Sequence, residues 1–414
     1  MAEPDLSRMP TPCYVYDLAE VRRNHTRLRA ALPAPSHLFY SLKANPHPDL
    51  LTALRRCGTR PEVCSSGELS AALDAGWGPD QVLYTGPAKR DADIREALAR
   101  GVRFFSVDSP HGIDQLDGIA LDAGARVRCL LRVNDDHPVP GQGLAMTGVP
   151  SQFGADTSWI LSEPARFASR PHAEVIGLHL YMGSNIDQVP SLAGQFERSL
   201  RTAARVAAAL SEYGVRLRFL DLGGGFGAPF AQPGQALDLS SLALPVSGLL
   251  DEHAPGWREH LPEIAFESGR YLVGTAGTLV TSVLEVKRSH DRDVVVLESG
   301  INHLGGMSGL RRLPPLNPVL TTRDETTGTT GVPTLVAGPL CTPLDTWARS
   351  AALPPLKPGD RLEVPNVGAY GLAASLVAFL GHPLPTEMVI DSDDPERRPT
   401  TSRIELVRTA ATSR

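Results

Sequence analysis

The chain has 414 residues, 42% of them hydrophobic and 21% charged, which suits two or three domains with real cores and excludes extended disorder. Forty basic against 46 acidic residues leave a net charge of -6, too small and too evenly mixed to favour nucleic acid or an anionic membrane. No apolar run reaches the roughly 18 residues of a membrane helix, residues 1–12 carry no apolar signal core, and Cys13, Cys57, Cys64, Cys129 and Cys341 lack zinc or disulfide spacing. A cytoplasmic protein with reduced thiols and no metal is expected.

In chain order, residues 11–16 read as a strand. Eight short β-branched or aromatic runs then follow at 37–42, 61–64, 81–84, 103–106, 127–133, 174–181, 216–222 and 263–267, alternating with helical patterns. Ser65-Ser66-Gly67-Glu68 has the form of a capping box, and Leu192, Phe196, Leu200, Ala203, Val206 and Leu210 share one helical face. Eight strand and helix alternations predict an α/β fold, a (β/α)8 TIM-type barrel over residues 30–275. Beyond it the rhythm changes. Strands are expected at 271–286, 293–297, 334–337 and 361–364, a loop at 321–331 and a mobile charged stretch at 391–401. These form a mainly β domain over 276–414 that takes in the N-terminal strand, so residues 1–29 belong with it.

Chemistry in such a barrel collects at the C-terminal strand ends, with phosphates bound after strands seven and eight. Lys43, in Phe39-Tyr40-Ser41-Leu42-Lys43-Ala44-Asn45, closes the first barrel strand. A lysine after a strand is ordinarily solvated, but an apolar run delivering one amine suits attack on a cofactor aldehyde, and burial would lower its pKa. After the seventh strand come Asp221-Leu222-Gly223-Gly224-Gly225-Phe226-Gly227, whose glycines let backbone amides ring a phosphate. Phe266-Glu267-Ser268-Gly269-Arg270 ends the eighth and sets a carboxylate near a guanidinium. Alone these are a turn and a surface ion pair. Together with Lys43 they describe pyridoxal 5'-phosphate, with Glu267 holding the ring nitrogen protonated.

The motif order resembles the fold-type III pyridoxal-phosphate decarboxylases of ornithine, arginine and diaminopimelate, over nearly the full length. It runs from Tyr40-Ser41-Leu42-Lys43-Ala44-Asn45 through the glycine run and Glu267-Ser268-Gly269-Arg270 to Gly338-Pro339-Leu340-Cys341 and Gly368-Ala369-Tyr370-Gly371. The resemblance implies that Lys43 carries the cofactor, that Ser184, Gly224, Gly225, Gly269 and Arg270 surround its phosphate, and that Glu267 meets the ring. It also implies a homodimer with shared active sites, in which Cys341 is the proton donor and Tyr370 a phosphate or substrate contact for the partner's site.

Departures from the family pattern bear on the substrate. Where the family has a histidine stacked on the ring, Gly177-Leu178-His179-Leu180-Tyr181-Met182-Gly183-Ser184 offers Tyr181, with His179 two residues earlier as an inward-facing or barrel-lining residue. Diaminopimelate decarboxylases follow the cysteine with a glutamate for the distal ammonium, but here stands Cys341-Thr342-Pro343-Leu344-Asp345. Asp345 is the remaining acid that keeps a diamino acid in play. Cys341-Thr342-Pro343, Gly148-Val149-Pro150-Ser151-Gln152-Phe153-Gly154 and Ala378-Phe379-Leu380-Gly381-His382-Pro383 resemble the branch that decarboxylates acidic amino acids tethered to an acyl carrier protein in butirosin and macrolactam pathways. That branch implies a glutamyl, aspartyl or 3-methylaspartyl thioester as substrate and a carrier partner, with Arg311 and Arg312 as candidates for its phosphopantetheine phosphate. The alternatives are a decarboxylase of free diaminopimelate, ornithine or lysine, a racemase, and a non-catalytic homologue.

Overall fold

A computed structural model describes residues 9–136, 147–305, 318–321 and 332–409. Two compact units emerge, one formed by residues 22–228 and 236–272, the other by the chain up to Val21, Pro229–Gln235 and Val273 onward. The short excursion at Pro229–Gln235 had no sequence signal. Among the described residues no helix is long and apolar enough to cross a membrane.

The first elements are β1 (Cys13–Asp17), α1 (Leu18–Ala31), β2 (His37–Ser41), α2 (Pro48–Arg56), β3 (Arg60–Val63), α3 (Ser66–Asp74), β4 (Leu83–Tyr84), α4 (Asp91–Ala99), β5 (Phe104–Val107) and α5 (Pro110–Asp122). They continue with β6 (Val127–Asn134), β7 (Ala155–Asp156), α6 (Thr157–Ser162), β8 (Ala173–Leu180), α7 (Val189–Ser211), β9 (Phe219–Asp221), α8 (Ala243–His253) and β10 (Glu263–Ser268). Strands β2, β3, β4, β5, β6, β8, β9 and β10 pair in parallel in that order, and β10 returns to β2, closing the eight-stranded barrel. Each of the eight expected runs holds one barrel strand. Seven strands send Phe39, Leu83, Phe104, Leu130, Ile176, Phe219 and Ala265 into one buried interior layer, which excludes water below the strand ends.

Local signals account for the joints. Ser65 Oγ accepts from the Glu68 amide at 3.2 Å and so starts α3, while the Glu68 carboxylate reaches back to the Cys64 amide at 2.7 Å. The six apolar residues of α7 named above are all buried. A bulge in β8 pairs Cys129 with Val175 but Leu130 with Gly177, so one extra residue shifts which side chains face inward. It turns His179 to the interior that Ile176 also faces.

After α9 (Arg270–Val273), at the boundary of the two units, the second unit continues with β11 (Gly277–Ser289), β12 (Arg292–Leu297), β13 (Val332–Ala337), β14 (Thr346–Leu353), β15 (Arg361–Val364), β16 (Thr386–Ile390) and β17 (Thr400–Arg403). Its sheet runs β14-β13-β12-β11-β1-β16-β17, with β15 also on β11. The N-terminal strand does join this sheet, antiparallel to β11 and parallel to β16. Three expectations are corrected. Residues 271–276 form helical turns rather than strand, because a short buried apolar run suits either and Gly269 ends the extended chain just before them. β14 and β16 had no expected counterpart, and the last two residues of the 391–401 stretch, Thr400 and Thr401, join β17, paired to β16. All but Thr321 of the expected 321–331 loop lies outside the described residues.

Gly177 sits where β8 meets β9, and a Cβ there would lie 1.8 Å from the Phe219 carbonyl oxygen. Gly118, inside α5, would meet nothing within 4 Å. Gly177→Ala is therefore expected to lose about 1–3 kcal/mol or more by overpacking, whereas Gly118→Ala gains about 0.5–1 kcal/mol from helix propensity. Urea unfolding midpoints check both signs.

Candidate active site

Lys43 lies in a single 3-10 turn, Leu42–Ala44, directly after β2. The turn is held from both sides, by Tyr40 Oη donating to the Asn45 carbonyl at 2.8 Å and by Asn45 Oδ1 accepting from the His47 amide at 3.0 Å. Lys43 Nζ stands 3.7 Å from Glu62 Oε1 at the end of β3, with the lysine side chain 44% exposed and the glutamate 3%. Burial alone would raise the Glu62 pKa, but the Lys43 charge and hydrogen bonds from Ser41 and Thr85 hold it well below the carboxylate range. The burial expected of Lys43 is not what the structure shows: its amine is half-open to solvent and faces the Glu62 carboxylate. The lysine whose pKa burial does lower, to about 8, is Lys89, and its ammonium is engaged by the carbonyls of Gly86 at 2.8 Å and Ser106 at 2.5 Å.

Across the barrel, β8, β9 and β10 bring His179, Asp221 and Glu267 together, each buried, with one ligand atom from each lying within 4.8 Å of the others. His179 Nδ1 shares a 2.9 Å hydrogen bond with Ser106 Oγ, and its Nε2 lies 3.2 Å from Glu267 Oε1 without the alignment of a hydrogen bond. Asp221 Oδ1 accepts from the Gly223 amide at 2.9 Å. Burial pushes the Asp221 pKa up, and the nearby Glu267 charge adds to it, so this carboxyl favours its protonated form. Burial opposes charge on His179, but Glu267 and Asp221 outweigh it and raise that pKa. His179 Nε2, Asp221 Oδ2 and Glu267 Oε1 are all buried with no hydrogen-bond partner among the described residues. Unsatisfied buried polar atoms are costly, so they mark a place where another molecule supplies the donors and acceptors.

The glycines knit these strand ends into one rim. A Cβ on Gly224 would lie 2.1 Å from the Glu267 carbonyl oxygen, on Gly223 2.9 Å from the Tyr181 ring, on Gly225 2.7 Å from the Gly183 carbonyl oxygen, and on Gly269 2.7 Å from Ala44 Cβ. Gly225 also has φ +103, a left-handed conformation that favours glycine. The rim thus gathers Lys43, Tyr181, Gly224, Gly225, Glu267, Gly269 and Arg270, the last opening α9, with Ser184 in the loop after β8. The remaining sequence candidates lie in the β unit. Cys341 is exposed, and Tyr370 has φ 56 in a loop where a Cβ on Gly368 would lie 1.9 Å from the Val273 carbonyl oxygen. Asp345 is buried, and its two carboxylate oxygens accept the amides of Ile301 and Leu340, each at 2.8 Å. Arg311 and Arg312 lie outside the described residues.

Four groups escaped sequence reasoning: Glu62, Ser106, Arg132 and the role of Asp221. Arg132, buried in β6 beside His179, stacks its guanidinium 4.6 Å from the Phe153 ring centroid. A charge among the apolar residues of a strand was the available signal at Glu62 and Arg132.

A carboxylate with an empty acceptor, an amine at the same rim and glycine-lined loops between them fit pyridoxal phosphate, whose protonated ring nitrogen is the donor that Glu267 Oε1 lacks. Residues 18–274 match the family model described as pyridoxal-dependent decarboxylase, pyridoxal binding domain, and the chain belongs to that family of pyridoxal-phosphate-dependent carboxy-lyases. It is 30% identical over 388 residues to the L-glutamyl-[BtrI acyl-carrier protein] decarboxylase of Niallia circulans, covering 92% of this chain and 89% of that one. It is 32% identical over 394 residues to the diaminopimelate decarboxylase of Methanothermobacter thermautotrophicus, covering 92% and 86%. Among solved structures, diaminopimelate decarboxylase from Helicobacter pylori complexed with L-lysine superposes with a TM-score of 0.81 at 25% identity, covering 95% and 94% of the two chains.

Two lysines at one barrel end allow a direct comparison. Lys43→Ala is expected to abolish the visible absorbance of bound cofactor, whereas Lys89→Ala keeps it, as absorbance spectra of the purified variants would show. The raised Asp221 pKa gives a second expectation. A group protonated more readily in the folded chain than in the unfolded one costs stability as pH rises above the ordinary carboxylate range. Asp221→Asn should therefore flatten the loss of stability of the cofactor-free protein between mildly acidic and mildly basic buffer, measured by urea unfolding.

Proposed function

We propose that this enzyme removes the α-carboxylate of an acidic amino acid, glutamyl, aspartyl or 3-methylaspartyl, held as a side-chain thioester on an acyl carrier protein. The observation that carries the reading is the lack of a free acid beside Cys341. The run Cys341-Thr342-Pro343-Leu344 contains none, and the Asp345 carboxylate is engaged by two backbone amides. A distal ammonium would be left without a counter-ion, and a desolvated charge without its partner costs several kcal/mol. A thioester end carries no such charge. The relative from Niallia circulans, by its name, acts on a carrier-bound L-glutamyl group.

In this reading Lys43 would hold the cofactor through its amine, with Glu62 3.7 Å away positioning that amine. Glu267 accepts the ring-nitrogen proton, and His179, anchored by Ser106, braces Glu267. Tyr181 stacks on the ring, while Ser184, Gly224, Gly225, Gly269 and Arg270 surround the phosphate. When bound, pyridoxal phosphate supplies the electron sink for the pair released as the carbon–carbon bond to the carboxylate breaks. The carbon left behind needs a proton. Cys341 donates it and Tyr370 contacts phosphate or substrate, both from the β unit of the partner in a homodimer. The product is a β- or γ-aminoacyl carrier protein.

Mass spectrometry of glutamyl- and aspartyl-loaded carrier incubated with the enzyme should show loss of carbon dioxide. Its kcat/KM is expected to exceed that for free diaminopimelate, ornithine or lysine by about 100-fold, the equivalent of about 3 kcal/mol for an unpaired distal charge. Turnover of the free diamino acids alone would sink the tethered reading and leave a free-amino-acid decarboxylase, the activity named for the diaminopimelate relatives. Cys341→Ala should lower kcat by about 100-fold or more with cofactor absorbance unchanged, as expected for loss of a proton donor.

A further inference from the structure

The opposite end of the barrel, where the strands begin, carries a second group of charges that the decarboxylation does not use. His37 opens β2, Arg60 opens β3 and Arg128 stands second in β6. All three lie over the interior aromatic layer. The His37 ring stacks on Phe219 with centroids 6.0 Å apart and planes 2° from parallel, Arg60 lies 5.8 Å from the Phe39 centroid, and Arg128 5.3 Å from that of Phe104. Beside them opens a cleft of about 400 Å³ whose lining includes His25, Arg29, Ser36, His37, Arg60 and Gln81.

The charges in this cleft do not balance. Glu263 is the acid in contact, held by His37, Nε2 to Oε2, at 2.7 Å, while Glu263 and Asp80 favour the Arg60 charge through space without forming an ion pair with it. Arg29 reaches only the Ser36 hydroxyl, at 2.9 Å, and neither Arg29 nor Arg60 forms an ion pair among the described residues. Burial lowers the pKa of His25, Arg29, His37 and Arg60, and neighbouring cations add to this at His25, His37 and Arg60. Arg29 has a bland explanation, since it falls in the last turn of α1, where a cation complements the helix dipole. Arg60 and His37 do not, because both project from strand starts. Two half-buried guanidiniums flanking a polar cleft, neither of them in an ion pair among the described residues, form a fork suited to a phosphate. The cleft is larger than an inorganic anion needs, and Leu38 gives it one apolar wall, so the ligand has an organic part.

We propose that this cleft at the N-terminal end of the barrel binds a small phosphate-bearing metabolite, with Arg29 and Arg60 gripping the phosphate. Along β2 it stands about 13 Å from the reaction rim, at about 3.3 Å per residue. It is therefore a separate site, independent of which substrate the enzyme takes. Inorganic phosphate is the probe, and the holoenzyme is the form to use, because the cofactor then fills the other phosphate site. Calorimetric titration should show saturable phosphate binding that chloride at equal ionic strength does not reproduce. Arg29→Gln and Arg60→Gln should each weaken it by about tenfold or more while cofactor absorbance is kept. If one variant does not fold, the other carries the test. Binding matched by chloride, or unchanged in every variant that folds, would overturn the proposal.

Discussion

Lys43 and Glu62 stand 3.7 Å apart, one half-open to solvent and the other sealed, and most of the reaction rim answers to that pairing. A sealed carboxylate without a cation would be costly, and a lysine with no carboxylate would be free to wander. Held together, they fix the amine at the strand end, and Glu62 is held in turn by the hydroxyl of Thr85, 2.6 Å away.

The far side of the rim solves the same difficulty differently. His179, Asp221 and Glu267 bury two carboxyls and an imidazole with little compensation from protein donors. Raising the Asp221 pKa favours its neutral form, and raising that of His179 favours its charged one. Glu267 Oε1 is left beside them without a hydrogen-bond donor among the described residues. The bulge in β8 makes this possible, because without the extra residue His179 would fall on the outer face and leave Glu267 unsupported.

Much of this was legible in the sequence because strand ends announce themselves. Lys43 and Glu267 each break an apolar run at its last position, and the glycine run follows a strand. All eight barrel strands could be read from period and punctuation. What could not be read was pairing across the barrel. Nothing local in Pro61-Glu62-Val63 says that its glutamate faces Lys43, and nothing in Arg132 says that it neighbours His179. The glycine run also carried a meaning that sequence gave only half of. Gly223, Gly224 and Gly225 lack side chains first because neighbouring backbone comes too close. Asp345 misled for the same reason: an acid near the cysteine looks available until its backbone partners are known.

The place of β1 has a consequence for how the chain assembles. Cys13 pairs with Thr386, so two of the most distant described segments lie side by side in the middle of one sheet. During synthesis β1 emerges long before its parallel neighbour. Until then a buried central strand has an open edge, and loop-closure entropy delays the pairing further. The barrel strands are joined by local βα steps and can close in the meantime. Assembly thus has a natural order, barrel before sheet, with β1 held as a loose thread until β16 arrives. A ribosome-bound intermediate with a finished barrel and an unfinished sheet is the state most exposed to edge pairing with other chains.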